Sequence, residues 1–204
     1  MPLVNPYCSL AQLQGELKNA DTAPTAWLED CINQASRYVD EWRGRDYYQH
    51  DYSTNALLIR GGIESRVYGE TLELPYWPVI QLTEVKDADT VLVAETDYVL
   101  VQTGDDMRPD ELIRVEAEWG TGIVSGECIA IKGKFGYAQA SSSVVPTGIP
   151  GNITKATSLL AAVFSNLYQR EIISADGMRD RISSNTIPPQ VATLLGNRAR
   201  RVLV

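Results

Sequence analysis

The spacing of apolar residues changes twice along this chain, and no other feature constrains its fold as strongly. Apolar residues recur at helical spacing up to residue 42, at every second position from about residue 56 to residue 137, and at helical spacing again from residue 153. A period near 3.6 is typical of an amphipathic helix, and a period of two is typical of a strand with one buried face. The sequence therefore predicts an α+β fold, a helical bundle from the N- and C-terminal helices with an inserted antiparallel β module.

The N-terminal region predicts two helices. Ser9 and Gln12 stand at capping-box spacing, which favours a first helix that starts there. The second helix is predicted to begin near Pro24 and to stop at Gly44. Its apolar stripe consists of Leu28, Cys31, Ile32, Ala35, Tyr38, Val39 and Trp42. Its opposite face is polar and consists of Glu29, Asp30, Asn33, Arg37, Asp40 and Glu41.

The central region predicts six or seven short antiparallel strands, because the turns between the apolar runs leave no room for crossover helices. The clearest alternation places four residues on a buried face, namely Ile113, Val115, Ala117 and Trp119. The intervening residues, Arg114, Glu116 and Glu118, are expected to face solvent.

The same pattern predicts the domain boundaries. Residues 1–55 and 138–204 are expected to form the helical scaffold with a C-terminal arm, and residues 56–137 the β module. Within the scaffold, residues 43–55 lack apolar periodicity and contain three tyrosines, which predicts an aromatic-rich loop. Residues 141–150 are rich in Ser, Gly and Pro and are expected to be a linker.

The amino-acid composition argues against some classes of binding partner. The formal net charge of −8 argues against a general affinity for nucleic acid, because such binding gains most of its energy from Lys and Arg on phosphates. No apolar run approaches the roughly 20 residues that a membrane-spanning helix needs, so we expect a protein made in the cytosol with no membrane partner. Cys8, Cys31 and Cys128 are odd in number and lack CxxC spacing, so we expect buried apolar residues, without disulfides or a zinc site.

Catalytic chemistry finds little support in the sequence. His50 is the only histidine, it lies in the predicted aromatic loop, and no nucleophile motif accompanies it. We therefore predict no catalytic residue, no metal and no cofactor. Two carboxylate clusters leave an alternative open, a carboxylate-dependent metal enzyme that uses Asp87, Asp89, Asp105 or Asp106. Both clusters, the second of which includes Asp110, lie between strand-like runs, where Asp caps turns through hydrogen bonds to the backbone.

Aromatic and basic residues are the candidates for contact with other proteins. Tyr and Trp are enriched at binding hot spots, which favours an interface role for the candidates Tyr47, Tyr48, Tyr52, Tyr76 and Trp77. For Trp77 a position in the core is the alternative, and it is the commoner one for a Trp. The prolines that flank Tyr76 and Trp77 hold the backbone extended and suggest the start or the edge of a strand.

Three arginines near the end of the sequence give the acidic chain a basic tip. Arg198, Arg200 and Arg201 favour contact with an acidic protein surface; a solvated tail and contact with nucleic acid are the alternatives.

Four segments in a fixed order resemble the head-tail connector, or adaptor, proteins of tailed phages. Residues 72–85, LELPYWPVIQLTEV, are similar to the family signature L-P-x-x-P-V-x-x-[LV]-x-x-V, and residues 97–100, DYVL, to the strand that follows it. Gly133–Tyr137 and then Val145-Pro146 with the helix after it resemble the later motifs. The resemblance covers most of residues 8–170.

This resemblance implies a structural subunit and no enzyme. Family members assemble as a ring, expected to be dodecameric, under the portal protein in the virion neck. The ring completes the head and offers a docking surface to the next stopper, neck or tail protein, and packaged DNA passes through its lumen without specific binding. Under this reading Arg198, Arg200 and Arg201 would help to dock the ring on the portal. Another neck or tail-completion protein, such as a stopper, is the alternative within the same class.

Overall fold

The computed structural model of the protein describes residues 2–17, 23–60, 66–104, 108–120, 128–171 and 187–196. These residues contain helices together with two antiparallel sheets, which confirms the predicted α+β class. The contacts divide the chain into two compact units. The helical unit consists of Met1–Tyr48 and Gln139–Val204, and the strand unit consists of Gln49–Ala138. No helix within the described ranges is long and apolar enough to span a membrane.

The helical unit has helices from both ends of the sequence. Its described helices are α1 (Leu10–Glu16), α2 (Thr25–Arg43), α3 (Gly151–Glu171) and α4 (Pro189–Leu195). The predicted capping box starts α1, since the Gln12 N–H donates to Ser9 Oγ at 3.2 Å and the Ser9 N–H donates to Gln12 Oε1 at 2.7 Å. Gly44 ends α2 with a φ of +68°, a left-handed conformation that glycine adopts without a steric penalty.

Helix α3 contacts each of the other three helices, so the two ends of the chain share one apolar interior. The fully buried side chains of this interior include Leu13, Leu28, Ile32, Ala35, Ile153, Ala156, Leu160, Val191 and Leu195. The stripe predicted for α2 supplies much of it, while Trp42 at the end of the stripe donates its indole N–H to the Gly196 carbonyl at 3.1 Å.

The polar face predicted for α2 is partly covered by another segment of the chain. The segment before α1 runs along this face, where Asn33 Oδ1 accepts the Val4 N–H at 2.9 Å and Ser36 Oγ accepts the Tyr7 N–H at 3.1 Å. Arg37 donates to the Asn5 carbonyl at 2.9 Å. The sequence could not show this, because the covering residues have no periodic pattern of their own.

The strand unit contains two sheets. Its strands are β1 (His50–Asp51), β2 (Leu57–Arg60), β3 (Val67–Tyr68), β4 (Thr71–Glu73), β5 (Val79–Asp87), β6 (Thr90–Leu92), β7 (Tyr98–Val101), β8 (Glu111–Arg114) and β9 (Cys128–Phe135). In sheet I, β9 pairs with β1, β2 and β5, and β5 also pairs with β6. Sheet II has the order β3-β4-β8-β7, and each of these strand pairings is antiparallel.

One apolar core joins the inner faces of the two sheets. Sheet I contributes Ile59, Val79, Val85, Leu92, Ile129, Ile131 and Phe135, and sheet II contributes Leu72, Tyr98 and Leu112. Trp119 closes this core from beyond β8, and its indole N–H donates to the Glu70 carbonyl at 2.8 Å. Where β9 crosses β5, a Cβ on Gly133 would overlap the Gln81 carbonyl oxygen, so only glycine fits there.

Of the four residues predicted to be buried around residue 113, only Trp119 is buried; Ile113 and Ala117 are half-buried and Val115 is exposed. Leu112 is the residue of β8 that faces the core, so Ile113 lies on the outer face and Val115 is exposed. The strand ends at Arg114, and Glu116 adopts a positive φ of 56°. This turn breaks the alternation, after which Trp119 reaches the core as predicted.

The stretch 43–55 is not one loop. Helix α2 includes Arg43, and His50–Asp51 forms β1 opposite Phe135 and Lys134. Residues 49–55, which the sequence pattern assigned to the helical scaffold, therefore lie in the strand unit.

Candidate functional site: aromatic clusters and two sheet faces

Three aromatic rings stack in the strand unit. The His50 and Tyr76 ring centroids lie 3.9 Å apart with 22° between the planes, and the Tyr52 ring lies 5.8 Å from that of Tyr76. All three side chains are half-buried, so the stack meets the surface. The sequence placed Tyr52 and Tyr76 among the candidate contact residues, and the fold brings them together with His50.

Backbone pairing fixes the position of this stack. Tyr52 donates its N–H to the Gly133 carbonyl at 2.8 Å, and its ring meets the edge of Phe135 at 6.1 Å. Tyr76 lies in the link between β4 and β5, where the Gly136 N–H donates to the Pro78 carbonyl at 2.8 Å. Pro75 and Pro78 lie within this link on either side of Tyr76 and Trp77, as expected for a segment that leads into a strand. Trp77 lies beside Tyr76 and is half-buried.

Tyr47 and Tyr48 belong to the helical unit and have different environments. Tyr47 is fully buried, where its ring meets the edge of Tyr7 at 5.6 Å and its hydroxyl accepts from Arg43 Nε at 2.9 Å. Its expected role as a contact residue is therefore corrected, since its side chain offers no surface to a partner. Tyr48 is half-buried, with the Arg37 guanidinium 5.4 Å from its ring centroid.

A polar cluster lies beneath these tyrosines and was not predicted. The Tyr7 hydroxyl donates to Asp40, accepts the Tyr47 N–H at 2.8 Å, and lies beside the Arg37–Asp40 ion pair of 3.2 Å. Burial raises the pKa of Asp40 to about 7, and the Arg37 charge only partly opposes this rise. Burial and the nearby Asp40 charge also raise the Tyr7 pKa. This cluster fastens the segment before α1 to α2.

Two of the three cysteine thiols are buried and poorly reactive. Cys8 and Cys31 lie in the interior, as predicted, and burial raises the pKa of each thiol to about 12. Cys128 is half-buried, and all three cysteines are free.

Two carboxylates of the clusters considered for metal binding, Asp110 and Asp87, accept hydrogen bonds from the backbone. Asp110 is buried and accepts the Val79 N–H at 2.7 Å and the Thr103 N–H at 3.1 Å, which ties the segment before β8 to the start of β5. Asp87 accepts the Gly120 N–H at 3.0 Å, and Asp89 lies exposed in the β5–β6 turn. Among the described residues, no group of three or more His, Cys, Asp or Glu is placed to hold a metal.

Several predicted residues lie outside the described ranges. They are Asp105 and Asp106 of the second carboxylate cluster, and Arg198, Arg200 and Arg201 of the basic tip.

The outer face of sheet I carries paired charges. Glu84 on β5 lies 2.9 Å from Lys132 on β9 and 3.6 Å from Lys86, and Asp51 lies 3.6 Å from Lys134. The Lys132 ammonium lowers the Glu84 pKa, as expected for a matched pair.

The outer face of sheet II carries apolar side chains and unmatched charge. Directly opposed residues form one row across all four strands, from Tyr68 to Thr71, Ile113 and Val99. We call these four residues the apolar row, in which Thr71 is the one side chain that carries an aliphatic hydroxyl. The next row places Glu73 opposite Glu111, and Val101 follows on β7. Neither carboxylate forms an ion pair with another described residue. The sequence could not reveal this opposition, because it depends on the register of β4 against β8.

Comparison with solved structures defines the class of fold. Chains of a phage-like particle, the gene transfer agent (GTA), share the arrangement over nearly their whole length. A chain in "Neck of empty GTA particle computed with C6 symmetry" has 18% identity and a TM-score of 0.59, covering 97% of this chain and 93% of that one. A chain in "Virion of native gene transfer agent (GTA) particle" has 20% identity and a TM-score of 0.57, covering 97% and 92%.

A third match comes from "Neck of native GTA particle computed with C12 symmetry", with 18% identity, a TM-score of 0.53, and coverage of 95% and 92%. No protein-family model matches this sequence, and no curated protein matches it significantly. At these identities the likeness is one of fold. The shared fold is that of chains in GTA necks, and the sequence motifs resemble those of head-tail connectors.

Proposed function

We propose that this chain is a structural subunit of a virion neck, a head-tail connector of the adaptor kind, that acts through contacts with other proteins. The observation that carries the proposal is the fold, which matches neck chains over 97% of its own length and 93% of theirs. The connector motifs found in the sequence point independently to the same class. Fold alone does not define function, so the surfaces of this chain must also suit assembly.

Assembly as a ring suits these surfaces. A ring uses heterologous contacts, in which one patch of a subunit meets a different patch of its neighbour. The half-buried side chains of Tyr48, Tyr52, Tyr76 and Trp77, and the outer face of sheet II, are partly exposed and suit such contacts. The necks in which the similar chains occur were computed with C6 and C12 symmetry. We propose a homo-oligomeric ring here, with twelve copies as the expected number.

The proposed partners follow from a position in the neck. The ring would bind the portal protein on one side and a stopper, neck or tail protein on the other. Packaged DNA would pass through the lumen without specific binding, because a chain of net charge −8 gains little from counterion release. Arg198, Arg200 and Arg201 are proposed to contact protein. The proposed chemistry of this chain is binding, with no catalytic step.

Electron microscopy of the protein mixed with its portal protein tests the proposal. We expect rings of this chain seated on the portal, and pull-down of the portal by the wild-type protein. The variant Tyr76→Ser should weaken portal or neighbour binding, while Thr54→Ala, an exposed position outside the stack, should not.

Two results would count against the adaptor role. Binding to tail proteins with none to the portal would favour a stopper. A protein that forms no ring, with or without the portal, would contradict the connector assignment as a whole.

A further inference from the structure

The outer face of sheet II is unusual for a surface that meets only water. Its apolar row crosses four strands, and Tyr68 at one end is 58% exposed. Val101 and Val115 extend the apolar area and are also exposed. Contiguous apolar surface of this kind marks interaction sites, whereas single exposed apolar residues do not.

The carboxylates beside the apolar row make this face acidic. Glu73 and Glu111 are directly opposed on neighbouring strands, and like charges in that position destabilise a sheet. Among the described residues, the cationic residue next to these carboxylates is Arg66. Its backbone carbonyl accepts the Glu73 N–H at 2.8 Å, which places it beside Glu73. Glu70 lies exposed at the β3–β4 turn and adds a further carboxylate. A partner with several cationic groups next to apolar ones would complement this face.

The chain itself contains a segment of that composition. Residues 197–204, NRARRVLV, place three arginines directly before Val-Leu-Val. The arginines complement the carboxylates of Glu73 and Glu111 in sign, and Val202, Leu203 and Val204 match the apolar row in character. Cationic residues are the minority on this chain, 18 Lys and Arg against 26 Asp and Glu, and three of them are concentrated in this segment.

We propose that residues 197–204 of one copy bind the outer face of sheet II of the next copy. This inference rests on the proposed ring function and deepens it by naming two complementary patches. The pair is heterologous, as ring closure requires. It also assigns the three arginines to a neighbouring subunit, in place of the portal docking expected from the sequence.

Intermolecular photocrosslinking in assembled rings tests this contact. One population of full-length chain carries Tyr68→p-benzoylphenylalanine, and a second, wild-type population is labelled with ¹⁵N. We expect irradiation to join the probe to ¹⁵N-labelled peptides from residues 197–204. The matched control, Leu58→p-benzoylphenylalanine on the outer face of sheet I, is 52% exposed and should not crosslink to that segment.

Peptide binding to the full-length chain gives an independent measure. A fluorescein-labelled NRARRVLV peptide should bind in a saturable manner, and Glu73→Lys/Glu111→Lys should weaken its binding by about tenfold. The double variant keeps a like-charge pair between β4 and β8, and Glu73→Lys also places a second cation beside Arg66, so the melting temperature of the variant is measured alongside its peptide binding. The control Glu41→Lys/Asp89→Lys alters net charge equally at exposed sites elsewhere, and it should change binding less than about twofold at about 0.15 M salt.

The outcomes separate this inference from the proposed function. Rings that form while Tyr68 crosslinks to segments other than 197–204, or peptide binding that the two double variants weaken equally, would overturn the inference and leave the connector function standing. If the Lys variant lowers the melting temperature, Tyr68→Ser tests the same face, and unchanged peptide binding in that variant would likewise overturn it. Failure to form rings under any condition would instead contradict the proposed function.

Discussion

The outer faces of the two sheets belong to one folded unit, yet charged residues are paired with opposite charges on one face and opposed to like charges on the other. On sheet I, Glu84 lies between Lys132 and Lys86, and the exposed Leu58 and Val91 are separated across the sheet by Ala130 and Lys86. On sheet II, Glu73 opposes Glu111 beside the continuous apolar row. The first face satisfies its own charges. On the second, neither Glu73 nor Glu111 forms an ion pair with another described residue.

This difference teaches where to look for an interface in a structural protein. Exposed apolar residues occur on both faces, so exposure by itself does not distinguish them. What distinguishes them is whether neighbouring residues already provide a partner for each charge.

The largest expected effect concerns the inner and outer sides of β8. Leu112→Ala should lower the free energy of unfolding by about 4 kcal/mol, because it opens a cavity in the core. Ile113→Ala, one residue later, should cost about 1 kcal/mol, because its side chain lies on the outer face. Chemical denaturation of both variants measures this. Equal losses, or a larger loss at Ile113, would break the distinction between the two faces.

The next effect concerns a carboxylate that the fold satisfies internally. Asp110→Ala should lower the free energy of unfolding by about 3 kcal/mol, since it leaves the buried Val79 and Thr103 N–H groups without their acceptor. The control Asp89→Ala, at an exposed turn position, should stay within about 0.5 kcal/mol of the wild type. A similar small loss at Asp110 would show that its two hydrogen bonds contribute little.

A third prediction uses the buried carboxylate of the helical unit. Burial raises the pKa of Asp40 in the folded chain to about 7, above its ordinary unfolded value. The contribution of Asp40 to the free energy of unfolding is therefore fully present below about pH 4, declines as the pH rises towards 7, and is lost above that.

Asp40→Asn should remove this pH dependence, because the amide oxygen still accepts from Tyr7 but does not ionise between about pH 4 and 7. Thermal unfolding across this pH range measures the effect. Glu41→Gln, at the neighbouring exposed position, should leave the slope unchanged. A slope that survives in Asp40→Asn would assign the titration to another group.

The smallest effect differs in sign between the two faces. Glu111→Gln should raise the free energy of unfolding by a few tenths of a kcal/mol, because it removes the repulsion with Glu73. Glu84→Gln should lower it, because it weakens the pairs with Lys132 and Lys86. Denaturation at low and high salt checks both, and the two changes should shrink as salt screens the charges. Destabilisation by Glu111→Gln would contradict the unmatched charge assigned to sheet II.

Local signals in the sequence predicted the local structure. Ser9 and Gln12 start α1, and Gly44 ends α2, because capping and a left-handed glycine act within a few residues. Features that depend on pairing between distant segments were missed. The alternation around Ile113 suggested a buried face, but burial follows the side of β8 that the core covers, which is set by its pairing with β4 and β7.

The candidate contact residues show the same contrast between what local sequence predicts and what depends on pairing between distant segments. Tyr52 and Tyr76 were recognisable as aromatic contact residues, but their stack with His50 requires β1 to pair with β9. Tyr47 lies in the core because Tyr7, 40 positions earlier, packs against it, and no sequence pattern connects the two.

Hydroxyl-radical footprinting of free and ring-assembled protein tests most directly whether sheet II is the face that other chains cover. Tyr68 and Leu58 serve as paired probes, since they are exposed to similar degrees, 58% and 52%, on the two outer faces. Assembly should protect Tyr68 several-fold and leave Leu58 nearly unchanged. Protection of Leu58 with Tyr68 still oxidised at the rate of the free chain would contradict the proposed interface.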